Sequence, residues 1–230
     1  MINKSTPLVS VIMSTYNNID SLDDSIKSIL NQTYENIELL VLDDGSTDKT
    51  FQFLNKFTDK RLTVFNNYTN IGLTKSLNKL ISLSKGKYLA RQDADDISLP
   101  TRIEQQVYKL ENSKYKTCTT RAFVVNNNKK IPGFSFFLPS KLVIKVKNPY
   151  IHGTLMIEKS CMNLIGGYDE KFYYAQDYKL FSDLTKNKIP IFKIKKPLYL
   201  LNMENNISTN FSSKQNYFAE CVKKNIEPNL

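Results

Sequence analysis

The chain has 230 residues, with 32 Lys and Arg against 22 Asp and Glu and a formal charge of +10. Hydrophobic residues make up 41% and charged residues 23%, a balance that excludes fibrous and disordered classes and predicts one compact unit. Three widely spaced cysteines, Cys118, Cys161 and Cys221, argue against a disulfide framework or a zinc site and for a reducing cytoplasm. No stretch reaches the roughly 20 apolar residues that cross a bilayer. Met1 to Asn18 carries a short apolar run without a cleavage site, so it reads as a strand and the chain as soluble and cytoplasmic.

Charge is unevenly spread. Residues 1–112 hold 13 basic and 14 acidic side chains, and residues 113–230 hold 19 and 8. The whole surplus lies in the second half. That asymmetry points to an anionic partner such as nucleic acid, a phosphorylated substrate or a membrane surface, or else to compositional drift.

Along the chain, Leu8–Met13 is a β-rich run ending in the polar turn Ser14–Asn18. A helix follows, with Ser21 and Asp24 spaced like a capping box and Leu22, Ile26, Ile29 and Leu30 at helical spacing. Ile37–Leu42 is nearly continuous in apolar residues, as in a parallel strand buried on both faces. After Asp43-Asp-Gly-Ser-Thr-Asp48 a second helix carries Phe51, Leu54 and Phe57. Leu62–Phe65 is a third strand, and Leu73, Leu77, Leu80 and Ile81 mark a third helix. Lys87–Ala90 is a fourth strand, and Pro100 starts a fourth helix with Ile103, Val107 and Leu110. Four strand–helix alternations predict an α/β layered domain with a mostly parallel sheet flanked by helices.

The second half is less regular. It reads as a smaller mixed region with strands at Thr117–Val125, Gly153–Ile157 and Ile189–Ile194, loops at Asn126–Asn128 and Asn202–Asn206, and a terminal helix over Ser213–Ile226.

Three polar segments follow three of these strands: Ser14–Asn17, Asp43–Ser46 and Asp93–Asp96. In open α/β sheets that edge gathers ligands. Any one of the three is an ordinary turn; three at one edge suggest a site. Asp93 and Asp95, two residues apart, suit Mg²⁺ or Mn²⁺ completed by substrate phosphates, or an acidic lead into the next helix. Asp177 stands at the head of a helix patterned by Tyr178, Phe181 and Leu184, as a base or as its cap. His152, the only histidine, is a candidate for acceptor or phosphate contact and equally for a structural turn. Gly166-Gly167 reads as a turn with positive φ. Arg91 and Arg102 flank the acidic cluster and could balance its charge.

The segments VSVIMSTYNN, SIKSILNQTYENIELLVLDDGSTDKT, NIGLTKSLN, GKYLARQDADDISLPTRIEQQ and IHGTLMIEKSCMNLIGGYDEKFYYAQDYKLFSDL lie in series between about residues 8 and 184. In order and spacing they resemble the inverting family two glycosyltransferases of the GT-A fold. The resemblance implies a continuous GT-A domain, with a donor-binding half over 1–112 and an acceptor-binding half over 113–230. It implies that Ser14, Tyr16 and Asp44 hold the nucleotide of a nucleotide-sugar donor, with Tyr16 against the base and Asp44 at the base edge. It further implies that Asp93 and Asp95 form the DxD pair, Asp95 as direct ligand of Mn²⁺ or Mg²⁺ and Asp93 nearer the ribose or sugar. Lys75 is placed to approach the diphosphate, and Asp177 is placed as the catalytic base. The expected donor is a UDP-sugar, and the expected acceptor a glycan or lipid-linked hydroxyl in surface-glycan synthesis.

The chain lacks Trp and the Gln-x-x-Arg-Trp motif of processive synthases. Gln176 replaces a glutamate before the base, and Leu198–Met203 departs from the usual Tyr-Arg-x-His. A sugar-phosphate nucleotidyltransferase is the enzymatic rival, but residues 14–18 hold no phosphate-loop Gly. A nucleic-acid-binding protein is the other rival, and it leaves the strand-end carboxylates unexplained. On the leading reading, Lys141, Lys145, Lys147, Lys193, Lys195 and Lys196 meet an anionic acceptor or the inner membrane face, and no nucleic acid is a partner.

Overall fold

The computed structural model describes residues 6–203 and 212–229. The strands are β1 (Val9–Thr15), β2 (Ile37–Asp43), β3 (Leu62–Asn66), β4 (Tyr88–Arg91), β5 (Ile97–Ser98), β6 (Thr117–Val124), β7 (Lys130–Ile131), β8 (Met156–Glu158) and β9 (Ile191–Leu201). The helices are α1 (Ile19–Leu30), α2 (Thr50–Leu54), α3 (Leu73–Leu83), α4 (Arg102–Glu111), α5 (Ser140–Val143), α6 (Lys159–Leu164), α7 (Gln176–Lys186) and α8 (Ser212–Lys224). One sheet runs β3-β2-β1-β4-β8-β6-β9-β5, with β7 on β6.

The first half builds the parallel part, β3-β2-β1-β4. Its strands alternate between two cores because successive side chains point to opposite faces. Val9, Val11 and Met13 with Leu39 and Val41 pack under α1 and α4. Ile12, Leu40 and Leu42 pack under α3 and, further on, α7 and α8. Both faces are covered, which is why β2 reads as a nearly continuous apolar run, broken by Glu38 near its start.

From β8 onward the sheet is mixed: β8 is antiparallel to β4 and β6, while β9 is parallel to β6. Chain direction reverses order between β1 and β4, so the crevice at their carboxyl ends is the topological switch point.

Several boundaries differ from the sequence reading. α1 begins at Ile19, and Ser21 donates to Asn18 Oδ1 at 2.7 Å instead of capping with Asp24. Residues 152–154 form a 3₁₀ turn, so the strand expected over Gly153–Ile157 is confined to Met156–Glu158. β9 continues through Pro197 to Leu201, because β5 pairs Ile97 with Leu200 and Ser98 with Tyr199. That two-residue strand carries too little pattern to be read locally. The loop expected over Asn202–Asn206 lies outside the described residues beyond Met203. Gly166 and Gly167 hold φ of 79° and 80° and end α6, as glycine permits. Among the described residues no helix is long and apolar enough to cross a membrane.

Candidate active site

The three polar segments meet at the switch point. Ser14 lies buried near the end of β1, and Tyr16 follows it with 46% of its surface exposed. The turns after β1 and β2 are tied to each other: Asn17 N–H donates to Ser46 Oγ at 2.9 Å and Thr47 N–H to Asn17 Oδ1 at 2.8 Å. Asp43 is buried and accepts from the Ser46 hydroxyl; burial raises its carboxyl above the usual range.

Asp44 serves the scaffold. Its carboxylate accepts from Asn67 Nδ2 at 2.8 Å, Ile71 N–H at 3.0 Å and Gly72 N–H at 2.9 Å. This clamps the turn that starts α3, where Lys75 is exposed in the first turn. Tyr173 lies against Gly72, 3.0 Å from where a Cβ would stand. Removing the carboxylate strands the Ile71 N–H, at about 1–3 kcal/mol, and leaves the Gly72 N–H only the Asn70 Oδ1 at 3.1 Å. Asp44→Ala is therefore expected to lower the melting temperature by several degrees in a calorimetric scan; an unchanged midpoint counts against the clamp.

The acidic turn after β4 is assembled by residues distant in sequence. Buried Gln92 donates through Nε2 to the carbonyls of Asp93 and Asp96 at 3.1 and 2.8 Å. Asp93 pairs through Oδ1 with the buried Arg91 at 2.5 Å. Its N–H donates to Tyr199 Oη at 3.1 Å. Asp95 is half-buried, and desolvation together with the charge of Asp93 raises its carboxyl. Asp96 is buried and accepts from Asn202 N–H at 2.7 Å; burial and the two neighbouring carboxylates push it strongly up.

Arg102, fully buried, donates to the carbonyls of Arg91 at 2.9 Å and Gly153 at 2.7 Å. It ties α4 to the back of the acidic turn, while Arg91 alone pairs with a carboxylate there. A Cβ on Gly153 would stand 2.7 Å from Asp93 Oδ2 and close on Tyr199 Oη, so only glycine lets the 152–154 turn approach Asp93.

Asp177 arrives from the other side. It is the second residue of α7, and the residue before the helix is Ala175 at φ 51°, with no side-chain cap. Asp177 therefore does not cap the helix. Its Oδ2 accepts from Asn148 Nδ2 at 2.6 Å. Ala175 holds its left-handed conformation with its N–H on Gln215 Oε1 at 2.8 Å; such a residue stores strain where a side chain must be aimed.

His152 joins the two sides. Its Nε2 shares a hydrogen bond with Tyr168 Oη at 2.7 Å. Burial and Arg91 lower the imidazole, opposed by the charges of both Asp93 and Asp177. The same two carboxylates act on the Tyr168 hydroxyl, which burial raises. Asp93 and Asp177 thus both act on one imidazole–phenol pair.

A lowered histidine means that the unfolded chain takes up a proton near 6.5 that the fold resists. Its contribution is complete above pH 6.5 and is lost as pH falls below it. His152→Gln is expected to flatten the fall in melting temperature between pH 7 and 5.5; parallel curves for variant and wild type would contradict this.

Of the residues expected from sequence, Ser14, Tyr16, Asp93 and Asp95 lie at or just beyond the ends of the adjacent strands β1 and β4, and Asp93 and Asp177 both act on His152. Asp44 and Lys75 lie at the α3 side of the crevice. Asn148, Tyr168, Gly153 and Tyr199 were not anticipated. Asn148 and Asp177 are 29 residues apart and Asp93 and Tyr199 are 106 apart, so local pattern holds no signal for them. Among the six lysines expected to face an anionic partner, Lys193 instead donates to the carbonyls of Phe136 and Leu138.

No cluster of three or more His, Cys, Asp or Glu stands together as a metal cage among the described residues. The donor set nevertheless fits Mg²⁺ or Mn²⁺, which keep waters and take one or two carboxylates plus substrate phosphates. Asp93 has Oδ2 beyond its Arg91 contact, and the raised carboxyl of Asp95 is what a shared cation would relieve.

A mixed α/β sheet with carboxylates gathered beyond the strand ends at its switch point is the open-sheet arrangement in which ligands bind. Residues 10–194 match the profile of Glycosyl transferase family 2, and the chain belongs to that family of glycosyltransferases. It is 33% identical to an uncharacterized glycosyltransferase of Haemophilus influenzae over 95% of this chain and 72% of the relative. It is 31% identical over 78% of its length and 70% of the relative to the Escherichia coli UDP-Glc:alpha-D-GlcNAc-diphosphoundecaprenol beta-1,3-glucosyltransferase WfgD. Across three strong sequence matches the chain spans 61 to 72% of the relative's length.

Among solved structures, S. aureus TarS 1–349 in complex with UDP-GlcNAc superposes with TM-score 0.75 at 22% identity, over 88% of this chain and 60% of that one. The Pyrobaculum calidifontis mannosyltransferase PcManGT in complex with GDP-Man and Mn²⁺ gives 0.73 at 17%, over 98% and 67%. The fold is the GT-A fold of these enzymes.

Proposed function

We propose that the protein transfers a sugar from a nucleotide-diphosphate sugar, most simply a UDP-sugar, to a hydroxyl of a lipid-linked glycan, inverting the anomeric centre. One observation carries this reading. Asp93, whose Oδ2 lies 2.7 Å from where a Gly153 Cβ would stand, and Asp177, held by Asn148, both bear on the His152–Tyr168 pair, so two carboxylates distant in sequence are brought to one site. Inversion needs two such groups at one site, one serving the leaving group and one activating the attacking hydroxyl.

Tyr16, half in water beside the clamped 43–50 turn, offers a face on which a base can stack. Asp93 and Asp95 would hold a Mn²⁺ or Mg²⁺ ion, which supplies Lewis-acid neutralisation of the departing diphosphate. Arg91 fixes the orientation of Asp93, and Lys75 in the first turn of α3 adds a mobile positive charge on the same side. Asp177, oriented by Asn148, accepts the proton of the attacking hydroxyl. The relative WfgD is named for a diphosphoundecaprenol-linked acceptor, which supports a lipid-linked acceptor here.

A panel of UDP-, GDP- and dTDP-sugars tests this directly. Each is mixed with the protein, Mn²⁺ and a short lipid-diphosphate glycan, and nucleotide release and anomeric configuration are measured. Release from one UDP-sugar that needs the metal, with an inverted product, is expected. Release from none, or a product of retained configuration, overturns the reading.

A further inference from the structure

Between Glu111 and Glu158 the chain carries eight Lys and Arg and not one acidic residue. Residues 134–147 are one exposed segment of that stretch, a 3₁₀ turn at Phe134–Phe137, then α5 and a following turn. One side is anchored. Phe136, Val143 and Ile144 are buried, the Arg121 guanidinium lies 5.4 Å from the Phe136 ring, and Lys193 Nζ reaches Leu138 O at 2.9 Å.

The other side leaves apolar groups in water: Phe134 is 79% exposed, Phe137 59%, Leu142 62% and Val146 66%. Lys141, Lys145 and Lys147 alternate with them and are exposed. Single exposed apolar residues are ordinary, but four within fourteen residues of one short segment mark an interaction surface.

The chemistry of the patch selects its occupant. Phe and Leu side chains interleaved with lysines and free of carboxylates match the interface of an anionic bilayer, with rings at headgroup depth and ammonium groups on phosphates. Its location adds a reason. β4 and β6 are both antiparallel to β8, with Ala90 and Cys118 each paired to Met156. β6 therefore points toward the same edge as the acidic turn, and Arg121 beneath the patch lies beyond Cys118 in that direction. The segment runs directly into Asn148, which holds Asp177. Beside it, meeting it at Lys193, is a groove of about 450 Å³ lined by Glu104, Gln105, Tyr108, Lys109 and residues 192–195.

We propose that residues 134–147 are a membrane-docking wedge that seats Phe134, Phe137 and Leu142 in the interface of an anionic bilayer and opens the Asp177 side of the crevice toward it. The docking is read from this surface; the statement that it delivers a lipid-linked acceptor rests on the proposed function.

The chain contains no Trp, so one introduced Trp reports on its own surroundings. In Phe137→Trp, vesicles of phosphatidylcholine mixed with phosphatidylglycerol are expected to shift emission to the blue, and acyl-brominated lipids to quench it. Tyr68→Trp, at a fully exposed position beyond β3, is expected to show neither. Phe134→Ser with Leu142→Ser should lower vesicle partitioning about tenfold or more, and Lys141→Glu with Lys145→Glu should do so at low salt. All of these side chains are exposed, and unchanged thermal melts verify that the variants fold.

Absence of acyl quenching at position 137, or partitioning indifferent to these substitutions or equal on neutral vesicles, overturns the proposal. So do concentration-dependent oligomers dissolved by Phe137→Ser without quenching, which assign the face to a second copy. Vesicle binding needs no donor and donor hydrolysis needs no vesicle, so the docking and the transferase reading can fail separately.

Discussion

Asp177→Asn is expected to reduce sugar transfer by about 10²–10⁴-fold, the usual contribution of a positioned general base. Donor binding, read as the thermal shift produced by nucleotide sugar and Mn²⁺, should be unchanged. The amide keeps the shape of the carboxylate and its place beside Asn148, but it takes no proton from the acceptor. A control separates base from scaffold. Asn148→Ala removes the group 2.6 Å from Asp177 Oδ2 and leaves the carboxylate present but less fixed, so a smaller fall is expected. Transfer by Asp177→Asn at the wild-type rate would eliminate Asp177 as the base.

Asp95→Ala is the second large effect. Lewis-acid stabilisation of a leaving diphosphate is worth several kcal/mol, so losing the metal's ligand is expected to lower transfer by about 10²–10³-fold. The Mn²⁺-dependent part of the donor thermal shift should disappear with it.

Asp95 and its neighbour are expected to part company in stability. Asp93→Ala also unpairs the buried Arg91, at about 2–3 kcal/mol, below the range for a fully buried pair because Asp93 is partly exposed. Asp95→Ala removes a carboxyl that burial and Asp93 disfavour, so its fold should be no weaker. Full metal-dependent transfer by Asp95→Ala would remove the cation site from this turn.

Much of the first half was legible locally. Apolar runs that end in Ser14–Asn17, Asp43–Ser46 and Asp93–Asp96 are strands whose carboxyl ends must share one edge once the sheet is parallel. That reasoning carries Tyr16, Asp93 and Asp95 to the crevice without coordinates. Asp44 shows what local pattern leaves out: the turn residue is buried with its carboxylate on the amides of Ile71 and Gly72. Lys193 shows the same from the opposite sign, since charge counting cannot tell a free lysine from one donating to two carbonyls. The cap reading of Asp177 failed for a local reason. α7 starts from a left-handed Ala175, which pattern does not reveal.

The amino-acid sequence by itself determined the layered α/β class, the two apolar faces of β1 and β2, the acidic turn and the family. Each follows from residue type at period 2 or 3.6, or from motifs a few residues long. Only the tertiary structure decided which groups share the crevice. The backing of Asp93 by Arg91, Tyr199 and Gly153, the hold of Asn148 on Asp177, and the His152–Tyr168 pair join separate stretches of the chain. So does the lysine-laced apolar segment that runs into the base. Such contacts are set by how β8, β6 and β9 pair across the sheet, and strand pairing is a property of the whole fold.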